Sequence, residues 1–432
     1  MTRTISVEHL TRVEGHGGIT VVVDGKDVSK VDFDVFEGIR LFEGLVRGRS
    51  IEDITQIVSR ICAICSTNHC ITCLHALENA LGVKVTKQTR RLRDLAFHGA
   101  NIESHALHVF VLDLPDLLGH SSVISLAGVI PDAVKVALRL KKLGNTIQEV
   151  VGGRAVHPIN HVIGGFGRIP STDELVALRD QVREGLGDCE KALAVLRTVP
   201  IPDFVNEPIR CAAVVPEDGA FFFGSEMEIL DNGVRTRIPV SDYRKFTNEH
   251  LVPHSHAKHS LYNGRSYMVG ALPRLTLHGD RIGGMARKAW EELNFKTPSS
   301  NIIMNNVAQA IEMIFSVEQA LRLLDELLEA GVVQEAPAPY KVHACSGTAA
   351  TDVPRGTLFH SYEIDSDGRI AAADVITPTA QNLSNAEDQL RAAVKQGLAA
   401  GADDSTIEQR LAMVARAYDP CISCSVHVVR VQ

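Results

Sequence analysis

Apolar positions recur along the 432-residue chain with two periods, and the switches between them mark out its elements. Near the N-terminus the period is two. Ile19-Thr20-Val21-Val22-Val23 is β-branched and runs into the hairpin signal Asp24-Gly25-Lys26. Val31, Phe33 and Val35 then alternate with polar residues, so residues 5–36 are predicted as β structure. Residues 37–50 carry charge and little strand signal. Ser50 and Asp53 have capping spacing, which predicts a helix starting there with Ile51, Ile54, Ile57 and Val58 on its apolar side. From Leu92 to Ile201 the period is helical, most clearly over 133–151 and 172–199, with a break at Leu112-Asp113-Leu114-Pro115. His98, His105 and His108 fall in this stretch without a carboxylate pattern and read as packing residues.

Residues 203–285 lose the helical period. Phe204, the run Phe221-Phe222-Phe223, frequent glycine and His254, His256 and His259 predict irregular structure with short strands. Asn301–Ala330 is predicted as one long helix, apolar at Ile303, Val307, Ile311, Ile314, Leu321, Leu324 and Leu328. Strand signal returns over 341–382, with a turn at Asp365-Ser366-Asp367-Gly368, and helices follow at Asn385–Leu398 and Thr406–Ala417. There is no internal repeat or low-complexity linker. The expected fold class is α+β and predominantly helical. It is one domain over residues 1–432, with an N-terminal β region at about 1–40 and a peripheral lobe at about 203–285.

Composition changes this picture little. With 45% hydrophobic and 22% charged residues the chain can bury a large core. A net charge of −8 excludes a general nucleic-acid binder. No apolar run is long enough to span a bilayer, and the N-terminal residues lack an apolar signal core, so a cytoplasmic location is expected.

The cysteines change it a great deal. Nine are present, and four form two Cys-x-x-Cys pairs near opposite ends: Cys62 with Cys65, and Cys421 with Cys424. Soft thiolates at this spacing converge on one ion or cluster. Cys70 and Cys73 add a third local pair, so Cys62, Cys65, Cys70 and Cys73 alone could make a zinc or iron–sulfur site. On a continuous helix Cys62, Cys65, His69 and Cys73 would share a face. Alternatively, Ser66 caps a new helix that ends at Gly82. Cys189, Cys211 and Cys345 read as small core residues. Glu14, in Thr11-Arg12-Val13-Glu14-Gly15-His16-Gly17-Gly18, reads from spacing alone as a solvated glutamate on a glycine-rich turn.

Together, Arg60-Ile61-Cys62-Ala63-Ile64-Cys65 with His69, Asp419-Pro420-Cys421-Ile422-Ser423-Cys424 with His427, Arg12-Val13-Glu14-Gly15-His16 and Asp352-Val353-Pro354-Arg355-Gly356 resemble the large subunit of a nickel–iron hydrogenase. The resemblance spans the chain and is nearest to the cytosolic, cofactor-linked branch. Ala63 stands where the family usually has glycine, and Asp352 where glutamate is commoner; neither removes a ligand.

The resemblance implies reversible heterolytic cleavage of dihydrogen. Cys62, Cys65, Cys421 and Cys424 would bind nickel. Cys65 and Cys424 would also bridge to an iron carrying carbon monoxide and cyanide. His69 would hydrogen-bond near a bridging sulfur, and Arg355 would sit over the iron's open side. Pro378 and Thr379 would contact a cyanide. Glu43, His427 and the carbonyl of Val375 would hold magnesium. Protons would pass from Cys421 to Glu14. Electrons would leave to a small subunit carrying iron–sulfur clusters, with further electron-transfer or flavin subunits beyond it. A complex-I-like relative that has lost the chemistry is the other family outcome. The tail Val428–Gln432 is expected to be retained in the mature chain.

Overall fold

A computed structural model describes residues 2–217 and 219–426. His427 and the tail Val428–Gln432 lie outside the described residues. Helices carry the molecule, and the strands gather into separate antiparallel sheets, so the α+β, mainly helical expectation holds.

The N-terminal β region is a three-stranded sheet, Thr2–Val7, Gly17–Asp24 and Asp27–Val35, in that order. Its turn falls at the predicted Asp24-Gly25-Lys26. Ile19, Val21 and Val23 are buried and pair or neighbour Phe33 and Val31. This face packs on the Pro378–Ala399 helix: Glu387 accepts the Phe33 N–H at 3.0 Å, and Arg391 donates to the Val28 carbonyl at 2.6 Å.

The helical core is built from Lys87–Leu107, Pro131–Gly152, Thr172–Leu196 and Met304–Ala330. The first two cross closely. A Cβ on Gly144 would lie 2.5 Å from the Gly99 carbonyl oxygen and from the Glu103 nitrogen, so only glycine permits this approach. The break at Leu112–Pro115 is a π-helical turn, His108–Asp113, followed by a short helix with Pro115 in its first turn.

A four-stranded sheet lies between this core and the peripheral lobe. Cys345–Val353, Gly356–Ile364 and Ile370–Ile376 form its body, and Phe223–Gly224 its edge. The Ser66–Leu81 helix packs closely on Cys345–Val353. A Cβ on Gly347 would meet the Ala76 carbonyl at 2.4 Å. Ala350, Phe359 and Ile376 of the sheet share a smaller core with Val214, Met227, Phe246 and Tyr267 of the lobe. Residues 203–285 hold the predicted short strands, and also the Ala271–His278 helix, which was not expected.

Several boundaries move, three of them for a visible reason. The helix expected at Ser50 begins at Ile54. The Ser50 hydroxyl bonds the Glu52 carboxylate instead of a helix N–H, so no capping box forms. Cys65, not Ser66, occupies the cap position of the Ser66–Leu81 helix, because the Ser66 hydroxyl accepts the His157 N–H at 3.0 Å. The helix predicted from Asn385 starts at Pro378, where the fixed proline φ favours a first turn.

Candidate metal centre

Both cysteine pairs sit where a non-helical segment meets a helix N-terminus. Cys62 is extended after the short helix Ser59–Ile61, and Cys65 precedes Ser66–Leu81. Cys421 precedes the turn Ile422–Ser425, and Asp419 just before it adopts a left-handed φ of 51°. These bends turn the thiols of each pair toward the other. The four sulfurs lie within 4.8 Å of one another. Cys62 and Cys421 are 3.5 Å apart, Cys65 and Cys424 3.6 Å, Cys421 and Cys424 2.7 Å. Thiolates held at about 2.3 Å from one ion are roughly 3.8 Å apart or closer.

All four are buried and none is in a disulfide. Burial pushes the Cys421 and Cys424 thiols well above their ordinary range. Hydrogen bonding from the Cys421 thiol pulls Cys62 down. Four thiolates therefore do not coexist here without a cation, and the donor set fits soft metals. Cys70 and Cys73 do not join the group. Burial raises Cys70 to about 12, and Cys73 also interacts with Tyr362. The local four-cysteine alternative thus lacks its geometry.

Glu14 is not the solvated glutamate that spacing suggested. Its strand-like segment bridges Cys421, and its carbonyl accepts the Ile422 N–H at 2.9 Å. Its carboxylate accepts the Cys421 thiol at 3.2 Å and the Ser423 N–H at 3.0 Å, and it also takes the Ser423 hydroxyl. Gly15 makes this possible. It has φ 87°, and a Cβ there would lie 2.7 Å from Ile422 Cβ and 2.9 Å from the Ser423 nitrogen.

Arg355 is buried. Its Nε donates to the Asp419 carbonyl at 2.9 Å, and its Nη2 pairs with the Asp419 carboxylate at 3.0 Å. Burial opposes its charge, but Asp419 and the Cys421, Cys62 and Cys65 sulfurs more than offset it and hold the guanidinium firmly protonated. Among the described residues Nη1 is buried with no hydrogen-bond partner, as expected of a group that faces a ligand. Arg274 positions it from behind, donating to the Val353 and Pro354 carbonyls at 2.8 and 3.0 Å and pairing with Glu312. Asp352 accepts the Val214 N–H at 3.0 Å and the Thr357 hydroxyl at 2.6 Å, pinning the same loop to the lobe.

Thr379 accepts the Cys421 N–H at 3.0 Å, which leaves its hydroxyl proton available. Pro378 opens the same helix. His69, one turn beyond Cys65, is buried with Nδ1 3.1 Å from His360 Nε2, and His360 Nδ1 lies 2.6 Å from the Tyr362 hydroxyl. Glu43 accepts the Val375 N–H at 3.1 Å, and burial pushes it up to about 8.

Three residues escaped the sequence reading. Asp419, quoted only as a flank, anchors Arg355 and accepts Gln309 at 3.1 Å. Arg40 donates to the Ile61 carbonyl at 2.7 Å and to the Ser423 carbonyl, so one guanidinium ties the two cysteine loops together. His360 extends the His69 contact, and only its place on a buried strand could have marked it. The long helical histidines are structural: His105 faces Glu312 at 3.0 Å, and His108 meets Gln309 and the Arg416 carbonyl.

Residues 40–127 and 237–427 match the family model described as nickel-dependent hydrogenase, and residues 4–37 match one described as HoxL-like. The chain belongs to the nickel-dependent hydrogenases. The alpha subunit of sulfhydrogenase 1 from Pyrococcus furiosus is 36% identical to it over 427 residues, which cover 99% of this chain and 98% of that one. An NAD+-reducing nickel–iron hydrogenase in its H2-reduced state superposes with a TM-score of 0.89 at 25% identity, over 98% of this chain and 99% of the other. The nickel–iron–selenium hydrogenase of D. vulgaris Hildenborough shares the fold at a TM-score of 0.82 and 24% identity, over 99% of this chain and all of that one. The chain is therefore a hydrogenase large subunit, an oxidoreductase that cleaves dihydrogen reversibly and acts with a partner subunit. No helix among the described residues is long and apolar enough to cross a membrane.

Proposed function

We propose that Cys62, Cys65, Cys421 and Cys424 bind nickel, and that Cys65 and Cys424 also bridge to an iron carrying carbon monoxide and cyanide. When bound, that centre supplies heterolytic cleavage of dihydrogen. The observation that carries the reading is the closed group of four buried sulfurs with a carboxylate on one of them.

This chain's residues then hold and move the proton. The Cys421 thiol donates to Glu14 Oε2 at 3.2 Å, so a proton on Cys421 Sγ has an acceptor without rearrangement. Ser423 fixes that carboxylate through its N–H and hydroxyl, and Glu14, half-buried, reaches toward the surface. Arg355 supplies a preorganised positive field that costs nothing to reorient, because Asp419 already holds it. Thr379 and Pro378 would contact a cyanide ligand, and His69 would donate toward the sulfur of Cys65 or Cys424, with His360 3.1 Å from its Nδ1.

Magnesium is assigned to Glu43, the Val375 carbonyl and His427. Oxygen donors suit this ion, and a half-buried carboxylate pushed up to about 8 is relieved by a nearby cation. Electrons leave through a small subunit with iron–sulfur clusters, because this chain has no further cysteine set to carry them. Further flavin or electron-transfer subunits and a cytoplasmic location complete the reading; the NAD+-reducing structural neighbour supports the cofactor-linked branch. Metal analysis of the purified enzyme tests the centre: near-equal nickel and iron in this chain supports it, and zinc alone overturns it.

A further inference from the structure

Away from the cysteines, His254, His259 and Glu387 form a second metal-competent group, with one ligand atom from each lying within 4.8 Å of the others. They come from different parts of the fold. The histidines lie between the helices Tyr243–Thr247 and Ala271–His278 of the lobe, and Glu387 lies on the Pro378–Ala399 helix. His254 Nε2 is 2.8 Å from Glu387 Oε1, and His259 Nδ1 is 3.9 Å from Glu387 Oε2. Donors at about 2.0–2.2 Å from one tetrahedral ion are roughly 3.3–3.6 Å apart, between these two values.

The surroundings are those of a built site. Asp32 Oδ1 lies 3.8 Å from His254 Nδ1, behind the ring atom that faces Glu387. At that distance the contact is electrostatic, and it holds a negative charge behind the imidazole. Lys30 pairs with Asp32, and the Phe33 N–H donates to Glu387 Oε1 at 3.0 Å. His259 is buried, and its Nδ1, the ring atom 3.9 Å from Glu387 Oε2, has among the described residues only a 3.4 Å contact with the Ser384 hydroxyl. A bare histidine–carboxylate hydrogen bond accounts for His254 and Glu387 but leaves the His259 ring weakly partnered. A cation gives all three a common partner. His254 and Glu387 are half-buried, so an ion can enter.

We propose that His254, His259 and Glu387 bind one zinc-class divalent cation, with the Asp32 carboxylate adding negative charge behind His254. The ion staples the peripheral lobe to the Pro378–Ala399 helix. That helix also carries Thr379, which accepts the Cys421 N–H.

The test uses the mature, nickel-loaded enzyme with its partner subunits, equilibrated with zinc chloride and desalted. Wild type retains about one zinc per chain that His259→Asn and Glu387→Gln both lose, at unchanged nickel, iron and hydrogen turnover. Chelation then lowers the thermal midpoint of wild type by a few degrees and leaves that of the variants unchanged. Equal zinc in wild type and variants overturns the proposal, as does no retained zinc in wild type. Should either variant lose nickel, anomalous diffraction from wild type at the zinc edge decides: a peak between the three side chains supports the site, and its absence overturns it.

Discussion

Glu14 and Cys421, 407 residues apart in sequence, lie side by side as a short parallel bridge with the thiol donating to the carboxylate at 3.2 Å. The contact joins the N-terminal sheet to the last cysteine pair and places a proton acceptor on a thiol of the metal centre. Glu14→Gln keeps the shape and loses the ionisable group. Loss of a positioned general base slows turnover about 10²- to 10⁴-fold. Solvent hydrogen–deuterium exchange should fall with it, while nickel and iron stay loaded. Unchanged exchange would move the proton path elsewhere, and loss of nickel would make Glu14 structural.

Arg355 is held by Asp419 on one side and left with a buried, unpartnered Nη1 on the other. Arg355→Lys keeps the charge but loses the planar fork that reaches both. A rate drop on the order of 10²-fold or more is expected with the metals intact. Wild-type turnover in that variant would show that Arg355 acts elsewhere.

The four clustered cysteines are the proposed ligands, and Cys70 and Cys73 lie outside the cluster. Cys424→Ala abolishes hydrogen turnover and nickel binding. Cys70→Ala and Cys73→Ala keep nickel, because both lie outside the group of four sulfurs. Each of the two removes a buried sulfur and costs stability of about 1–2 kcal/mol. Element counts on the three proteins check this, and full metal loss in Cys70→Ala would restore the local four-cysteine alternative.

Asp94 gives a pH dependence with a definite sign. Burial pushes it up to about 7, and one carboxylate oxygen has no hydrogen-bond partner among the described residues. The folded chain therefore keeps a proton that the unfolded chain sheds near pH 4. The contribution to stability is full below about pH 4, is lost as pH rises to about 7, and is flat above. Asp94→Asn removes the penalty, on the order of 2–4 kcal/mol at pH 8 and much less at pH 5. Thermal midpoints of both proteins at the two pH values measure it, and a difference independent of pH would contradict it.

Much of this was legible in the sequence because local rules dominate locally. Alternation placed the strands around Val21 and Phe33, and the family resemblance carried by the two Cys-x-x-Cys pairs and their flanks picked out the four cysteines that come together. What failed were long-range partnerships. Nothing near Glu14 in sequence shows that Ile422 and Ser423 approach it, and Gly15 looks like any turn glycine until its missing Cβ is set 2.7 Å from Ile422. Arg40 sits in a charged stretch with little strand signal, yet it bonds carbonyls of both cysteine loops. Ser50 went to a neighbouring glutamate, so the expected cap never formed.

The infrared spectrum of the purified, matured subunit tests the central claim most directly. If the four cysteines hold a nickel–iron centre with diatomic ligands, iron-bound carbon monoxide and cyanide stretches appear in wild type and vanish in Cys424→Ala. A wild-type spectrum without those bands, or bands that persist unchanged in Cys424→Ala, would contradict it.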